Sequence, residues 1–282
     1  KSARELAELM VGGEFTATDR AGRTLGHTIF EVKGLDLPPM SQFGPALKQV
    51  SLQLRAGEVL GIGGVAGNGQ EELLATLSGE RVSAPGTVLL HGQDIATLGP
   101  NERRRLGLQA APEERLGHAA VPDMSLTENT LLTGTVRRPL TRKGFLDMKA
   151  AKLFAEEIIR VFDVRTPGPH VAARALSGGN LQKYVIGREV LQYPEVLIVN
   201  QPTWGVDAAA AAAIRQALLD LAGKGAAVIV ISQDLDELME IADQFCALNE
   251  GRLSAPRPTE GLSIDEIGLM LGGAHGMQEV AV

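Results

Sequence analysis

Cysteine is nearly absent: Cys246 stands alone in 282 residues, so no internal disulfide can form. A reducing compartment suits such a chain. There is no basic block, and 27 Lys and Arg against 34 Asp and Glu leave a net charge of −7. Nucleic acid is therefore excluded as a main partner, because phosphate binding needs clustered cations. No apolar run approaches the length of a membrane span, and no secretory signal is visible. Any membrane role is expected to be exercised by docking from the cytoplasmic side. Nor does the chain begin with Met; it opens at Lys1, as a piece cut from a longer polypeptide would.

Hydrophobic residues make up 44% of the sequence, enough for one large domain or a domain with appendages. The organising stretch is Leu176-Ser177-Gly178-Gly179-Asn180. It follows a polar loop and precedes an amphipathic helix expected over residues 181–192. Adjacent glycines at a helix start leave backbone N–H groups bare, Ser177 adds a hydroxyl, and the helix dipole adds partial positive charge. That combination suits a phosphate tail, and an exposed one could receive a nucleotide held by another subunit. A serine cap with glycines in a turn is the alternative.

Residues 196–199 are a short β-branched run, the mark of a buried strand, and end in Asn200-Gln201-Pro202-Thr203-Trp204-Gly205-Val206-Asp207. Upstream, residues 59–63 form a strand that leads into Gly64-Val-Ala-Gly67-Asn68-Gly69-Gln70-Glu71 and a helix through residue 77. A phosphate-binding loop is written G-x-x-x-x-G-K-[ST]. Here the glycine spacing and the strand–loop–helix context survive, but the two chemical residues do not. Gln70 stands where a lysine would reach the β- and γ-phosphates, and Glu71 where a hydroxyl would ligate Mg2+. Losing that cation removes an attraction on the order of a few kcal/mol at an effective dielectric near 20. Glu71 places an anion beside anions, while the backbone nest keeps some affinity for phosphate.

The order phosphate loop, LSGGN, strand, then PT-x-G-x-D resembles the ATP-binding cassette (ABC) ATPases over about residues 29–253. The resemblance implies an α/β fold of the P-loop NTPase type, with a mixed sheet core, an antiparallel β arm and an inserted α-helical subdomain at about residues 115–175. By the same resemblance Leu176, Ser177, Gly178, Gly179 and Asn180 form the signature motif. Gly64, Gly67, Asn68, Gly69, Gln70 and Glu71 line the nucleotide pocket, and Phe43 would stack on the adenine. Glu113 takes the Q-loop position, residues 196–201 the Walker B strand, and Asp207 the D-loop. Gln233 stands where active cassettes carry a histidine that touches the γ-phosphate.

"GVAGNGQEEL", "PEER", "LSGGN", "QPTWGVD" and "ISQDLDEL" are similar to the second cassette of tandem ATPases from simple-sugar and nucleoside importers. On that resemblance residues 1–28 are an N-terminal helix and linker. "ELAELMVGGEF" reads either as the tail of a preceding cassette or as an ordinary surface helix. Residues 254–282 form a C-terminal tail. ATP and Mg2+ are the implied cofactors. The implied partners are a second cassette, transmembrane permease subunits and, indirectly, a periplasmic or lipoprotein solute-binding protein.

Gln70, Glu71, Asn200, Gln201 and Gln233 all depart from the working pattern. An active cassette ends the Walker B strand with Asp then Glu. Asn200 and Gln201 keep those shapes without the charges, and an amide can neither act as general base nor hold a divalent cation as well. No catalytic or metal-binding set is expected intact. The signature motif and Asp207, which act on a partner's nucleotide, are complete. Three rival classes stay open: a stand-alone NTPase with unorthodox chemistry, a soluble ABC protein without a transport role, and a scaffold that never meets nucleotide. Arg103-Arg104-Arg105 is expected to be a solvated helix face. Trp204, the only Trp, is either an interface anchor or core packing.

Overall fold

The computed structural model describes residues 23–40, 42 and 44–273. The helix expected near the N-terminus, the adenine-stacking role of Phe43 and residues 274–282 lie outside the described residues.

Two long alternating strands come first: β1 (Thr28–Leu37) and β2 (Leu47–Arg55), paired antiparallel. The strand β3 (Val59–Gly63) leads through the glycine-rich loop into α1 (Gln70–Ser78). Next come β4 (Val88–Leu90), β5 (Gln93–Asp94), α2 (Pro100–Arg105) and β6 (Leu108–Ala111). The inserted helical region holds α3 (Leu126–Gly134), the hairpin β7 (Thr141–Arg142) and β8 (Phe145–Leu146), and α4 (Met148–Val161). The chain then returns through α5 (Gly178–Val190), β9 (Val196–Asn200), α6 (Ala208–Gly223), β10 (Ala227–Ser232) and α7 (Leu235–Ile241). It closes with β11 (Gln244–Asn249), β12 (Arg252–Leu253), β13 (Arg257–Pro258) and α8 (Ile264–Leu271). The hairpin β7–β8 occupies part of what reads as plain loop in the sequence.

Every residue of β3, β9 and β10 is buried. Apolar runs without alternation belong to a sheet covered on both faces, and such sheets are parallel. The order is β12-β11-β3-β10-β9-β6, with β13 also on β11. β11, β3, β10, β9 and β6 pair in parallel, while β12 and β13 pair antiparallel to β11, which makes the sheet mixed. β2-β1-β4-β5 forms the separate antiparallel arm.

Successive side chains of the central strands feed different cores. Leu197, Val199, Val228 and Val230 face the helical side with Phe154, Tyr184 and Ile214. Ile198, Ile229, Ile231 and Ile62 pack with the β arm and α1. Buried polar groups fasten the inserted helices. The Arg188 guanidinium donates to Glu189 Oε1 at 2.7 Å and to the carbonyls of Asn129 (3.1 Å) and Ala119 (2.8 Å). Thr133 Oγ1 and Gln192 Nε2 donate to the same carboxylate. Side-chain oxygens of Ser125, Asp147, Ser177, Asp207, Asp234 and Ser263 cap the N-termini of α3 to α8, taking N–H groups that a helix start leaves without acceptors.

The Arg103–Arg105 run does not form a solvated face. Arg103 is 0% exposed. Its guanidinium donates to the carbonyls of Thr76 (2.6 Å), Leu77 (2.9 Å), Leu98 (3.0 Å) and Ala96 (3.0 Å). The last carbonyls of α1 need donors, and a five-donor fork supplies them in a way that sequence spacing does not reveal. Arg105 alone is exposed. Residues 254–273 pack on the sheet and include the last described helix, α8. Thr259 Oγ1 donates to the Ala242 carbonyl, Asn249 Nδ2 to that of Leu271, and Ile267 is buried.

Candidate nucleotide site

The parallel strands β3, β9, β10 and β6 all end on one side of the sheet, where crevices form in open α/β folds. Gly64 follows β3, Gln201 follows β9, Gln233 follows β10, and Glu113 lies just past β6. A cavity of about 350 Å3 there is lined by Gly67, Gly69, Gln70, Glu71, Glu113, Gln201 and Gln233, among others. An adjoining cavity of about 210 Å3 includes Glu71, Glu113, His118 and Asn200. The fold thus gathers Gly67, Gly69, Gln70 and Glu71 of the expected pocket, with Glu113, Gln201 and Gln233, from four strand ends, while Gly64 and Asn68 do not line the cavity.

The glycine-rich loop closes on itself. Gln70 Nε2 donates to the Val65 carbonyl at 2.9 Å, and Gln70 Oε1 accepts the Asn68 N–H at 3.1 Å. The side chain is 8% exposed, tucked into the loop rather than extended into the cavity. It satisfies an N–H that an open loop would offer to phosphate. Gly64 makes this possible: a Cβ there would lie 2.7 Å from Gln70 Nε2 and 2.6 Å from the Leu248 carbonyl. The loop is also tied to the β11–β12 turn. Asn68 Oδ1 accepts the Glu250 N–H (3.1 Å), and the Asn68 carbonyl accepts that of Gly251 (2.9 Å).

Mg2+-bound ATP suits these residues poorly. The cavity presents the carboxylates of Glu71, Glu72 and Glu113. Burial pushes the Glu113 carboxyl above the usual range; the nearby Glu71 charge adds to this, and Arg115 partly offsets it. No lysine lines this cavity. Asn200 Oδ1 is buried without a hydrogen-bond partner among the described residues, but a neutral oxygen offers a cation less than a carboxylate does. Gln201 sits at φ 52°, with its amide oxygen 3.4 Å from both Ser232 Oγ and the Gln233 N–H. No group of three or more His, Cys, Asp or Glu is arranged to hold a metal among the described residues.

The signature turn borders a neighbouring groove of about 480 Å3 that shares Glu71 and Glu113 with the cavity and is also lined by Arg115, Leu176, Gly178 and Trp204. Ser177 and Gly178 are exposed, and Ser177 Oγ accepts from Asn180 Nδ2 (2.9 Å) and the Asn180 N–H (3.5 Å). Asn180 Oδ1 takes the Arg165 N–H at 2.8 Å, which fixes the turn from outside the helix. The glycines are the first residues of α5 itself, so the helix begins three residues earlier than its apolar pattern suggests. A polar backbone start carries no hydrophobic period to read. Asp207 is exposed and caps α6 through the Ala210 N–H at 2.8 Å.

A family model described as ABC transporter matches residues 47–204. The chain belongs to the ABC transporter family. Curated relatives include a nucleoside import ATP-binding protein, NupA, of Lactococcus lactis (36% identical, 98% of this chain and 54% of that protein). A guanosine import ATP-binding protein, NupO, of Bacillus subtilis is 35% identical over 96% of this chain and 53% of its own length. A ribose import ATP-binding protein, RbsA 1, of Rubrobacter xylanophilus is 34% identical over 96% and 53%. The chain thus spans about half the length of these relatives. Among solved structures, an ATP-binding subunit of an ABC transporter superposes with TM-score 0.70 at 22% identity, covering 87% of this chain and 100% of that one. The ATP-binding cassette MJ0796, a dimer bound to ADP and Pi, gives 0.69 at 20% identity over 83% and 100%. The cassette fold follows from these superpositions.

The sequence reading missed four contributors. Arg115 and Gln182 brace the signature and D-loop region, the turn at residues 249–251 holds the glycine-rich loop, and Glu237 sits beneath Ser232. Only Glu237 and Arg115 lay inside quoted motifs. The other two depend on contacts between segments far apart in the chain. No helix among the described residues is long and apolar enough to cross a membrane.

Proposed function

We propose that this cassette is the non-hydrolysing half of a pair, energising import of a simple sugar or nucleoside. Its LSGGN turn completes an ATP site whose phosphate loop, catalytic Glu and His come from the opposite cassette. ATP and Mg2+ belong to that composite site. The partners are a second cassette, in the same polypeptide or another, and permease subunits fed by a solute-binding protein. The pair works on the cytoplasmic side of the membrane. Coverage of about half of each import relative fits one cassette of two.

The observation that carries this reading is the contrast between the two surfaces. Gln70 fills its own loop and carboxylates line the cavity. The signature turn presents an exposed hydroxyl and the free N–H groups of a helix start. The second helix start at Asp207 stands beside exposed Trp204, on the same outward side.

The test uses the assembled ATPase. Ser177→Arg or Gly178→Asp should abolish ATP turnover with the fold and pairing intact. Gln70→Ala should leave turnover within about threefold, because removing an interaction absent from the transition state leaves kcat alone. The reverse ranking would overturn the reading. Turnover by the purified chain alone would favour a stand-alone NTPase.

A further inference from the structure

Arg115 stands on the loop that lines the cassette's own cavity and touches the signature helix and the turn at Trp204 together. Its Nε donates to Gln182 Oε1 at 2.9 Å, and one of its terminal nitrogens donates to the Trp204 carbonyl. Gln182 is 1% exposed and donates in turn to the Pro202 (2.9 Å) and Gln201 (3.3 Å) carbonyls. The guanidinium also fills the space left by glycine. A Cβ at Gly178 would lie 2.7 Å from its second terminal nitrogen, and one at Gly205 would lie 3.4 Å from the first. Two residues before it, Glu113 faces the cavity and interacts electrostatically with both Arg115 and Glu71.

We propose that Arg115 is a positioning residue: it locks the signature turn and the D-loop into one register, so that both meet the nucleotide of the opposite cassette together. The planar fork suits this task, because its donors diverge at fixed angles and can hold an amide oxygen and a carbonyl at once. A lysine offers one mobile point charge and cannot brace both. The arrangement also gives the signature glycine a reason beyond its bare N–H. Any side chain at 178 would displace the brace.

This inference rests on the composite-site reading, and the experiment separates the two. In the assembled ATPase, kcat and KM for ATP would be measured for Arg115→Ala, Arg115→Lys, Gln182→Ala and Ser177→Arg, with melting temperatures and the fraction paired. Arg115→Ala should lower kcat by about tenfold or more with KM changed less than about threefold, the split expected when groups are misplaced in the transition state only. Arg115→Lys should fail to restore kcat. Adding Gln182→Ala to Arg115→Ala should cost less than Gln182→Ala alone, since the Arg115–Gln182 bond is then lost only once, while the Gln182 bonds to Gln201 and Pro202 are lost in both cases. Recovery by Lys, or a loss of kcat that merely follows a loss of folded or paired protein, would overturn the positioning role. If Ser177→Arg collapses turnover while Arg115→Ala does not, only this inference fails. If Ser177→Arg is harmless, the composite-site reading itself fails.

Discussion

At the scale of single residues, the pocket is defined by neutral side chains where charge is needed and by charge where it is unwelcome. Glu237 is an example that the motif reading passed over. It is 2% exposed beneath the strand end that carries Ser232, and accepts the Ser232 hydroxyl at 2.8 Å. Burial raises its pKa above the ordinary 4.5, against the lowering effect of hydrogen bonds from Thr203 and Ser232. A carboxyl with a raised folded-state pKa makes the folded state bind more protons than the unfolded one. Its cost to stability is absent below the free value, grows as pH rises towards the folded value, and is constant above it. Glu237→Gln keeps the acceptor for Ser232 and removes the charge. It should raise the melting temperature at pH 8. The gain should vanish near pH 4. Equal stabilisation at both pH values would show that the buried charge is not its source.

At the scale of elements, what the sequence made legible is what depends on local pattern. The buried strands β3, β9 and β10 were readable because continuous β-branched runs have few other uses. Their helices were readable from periodicity and caps. Less legible were contacts that a side chain makes across the chain, and Arg103 is the clearest. Three arginines in a row read as a solvated face, yet the first is fully buried at the end of α1, where burial lowers its pKa to about 10. It joins the phosphate-loop helix to the segment before α2. Arg103→Met keeps bulk and removes every donor, leaving the Thr76, Leu77, Leu98 and Ala96 carbonyls without this partner. Chemical denaturation should show a loss of roughly 1–3 kcal/mol, the range for leaving buried acceptors without a donor. Arg105→Met, at an exposed position of the same run, should cost under about 0.5 kcal/mol. Similar costs at both sites would mean that the guanidinium at 103 is not the cap of α1.

At the scale of the whole molecule, a groove runs from Glu71 and Glu113 at the cavity to Gly178 and Trp204 beside the exposed LSGGN turn, so the proposed function needs a second cassette to close over that turn. On the proposed head-to-tail pairing, each pair has two unequal sites. The site at this chain's glycine-rich loop meets Gln70 folded into the nest and the carboxylates of Glu71 and Glu113. On that pairing, the site at its signature turn would meet the opposite cassette's phosphate loop. The substituted residues on which the proposed asymmetry rests are visible in the sequence without coordinates. The sequence could not announce that Gln70 turns inward, since that depends on space beside Gly64 and on the Leu248 carbonyl across the turn. The consequence is a stoichiometry. A phosphate analogue that arrests hydrolysis should trap one labelled nucleotide per assembled pair, not two. Gly178→Asp should remove that one, because it destroys the completing surface of the working site. Gln70→Ala should leave it in place, because the opened nest still lacks a lysine and a catalytic carboxylate. Two trapped nucleotides per pair would mean that both sites pass through the hydrolytic state, and neutral Gln201 could not then be the reason for the difference between them.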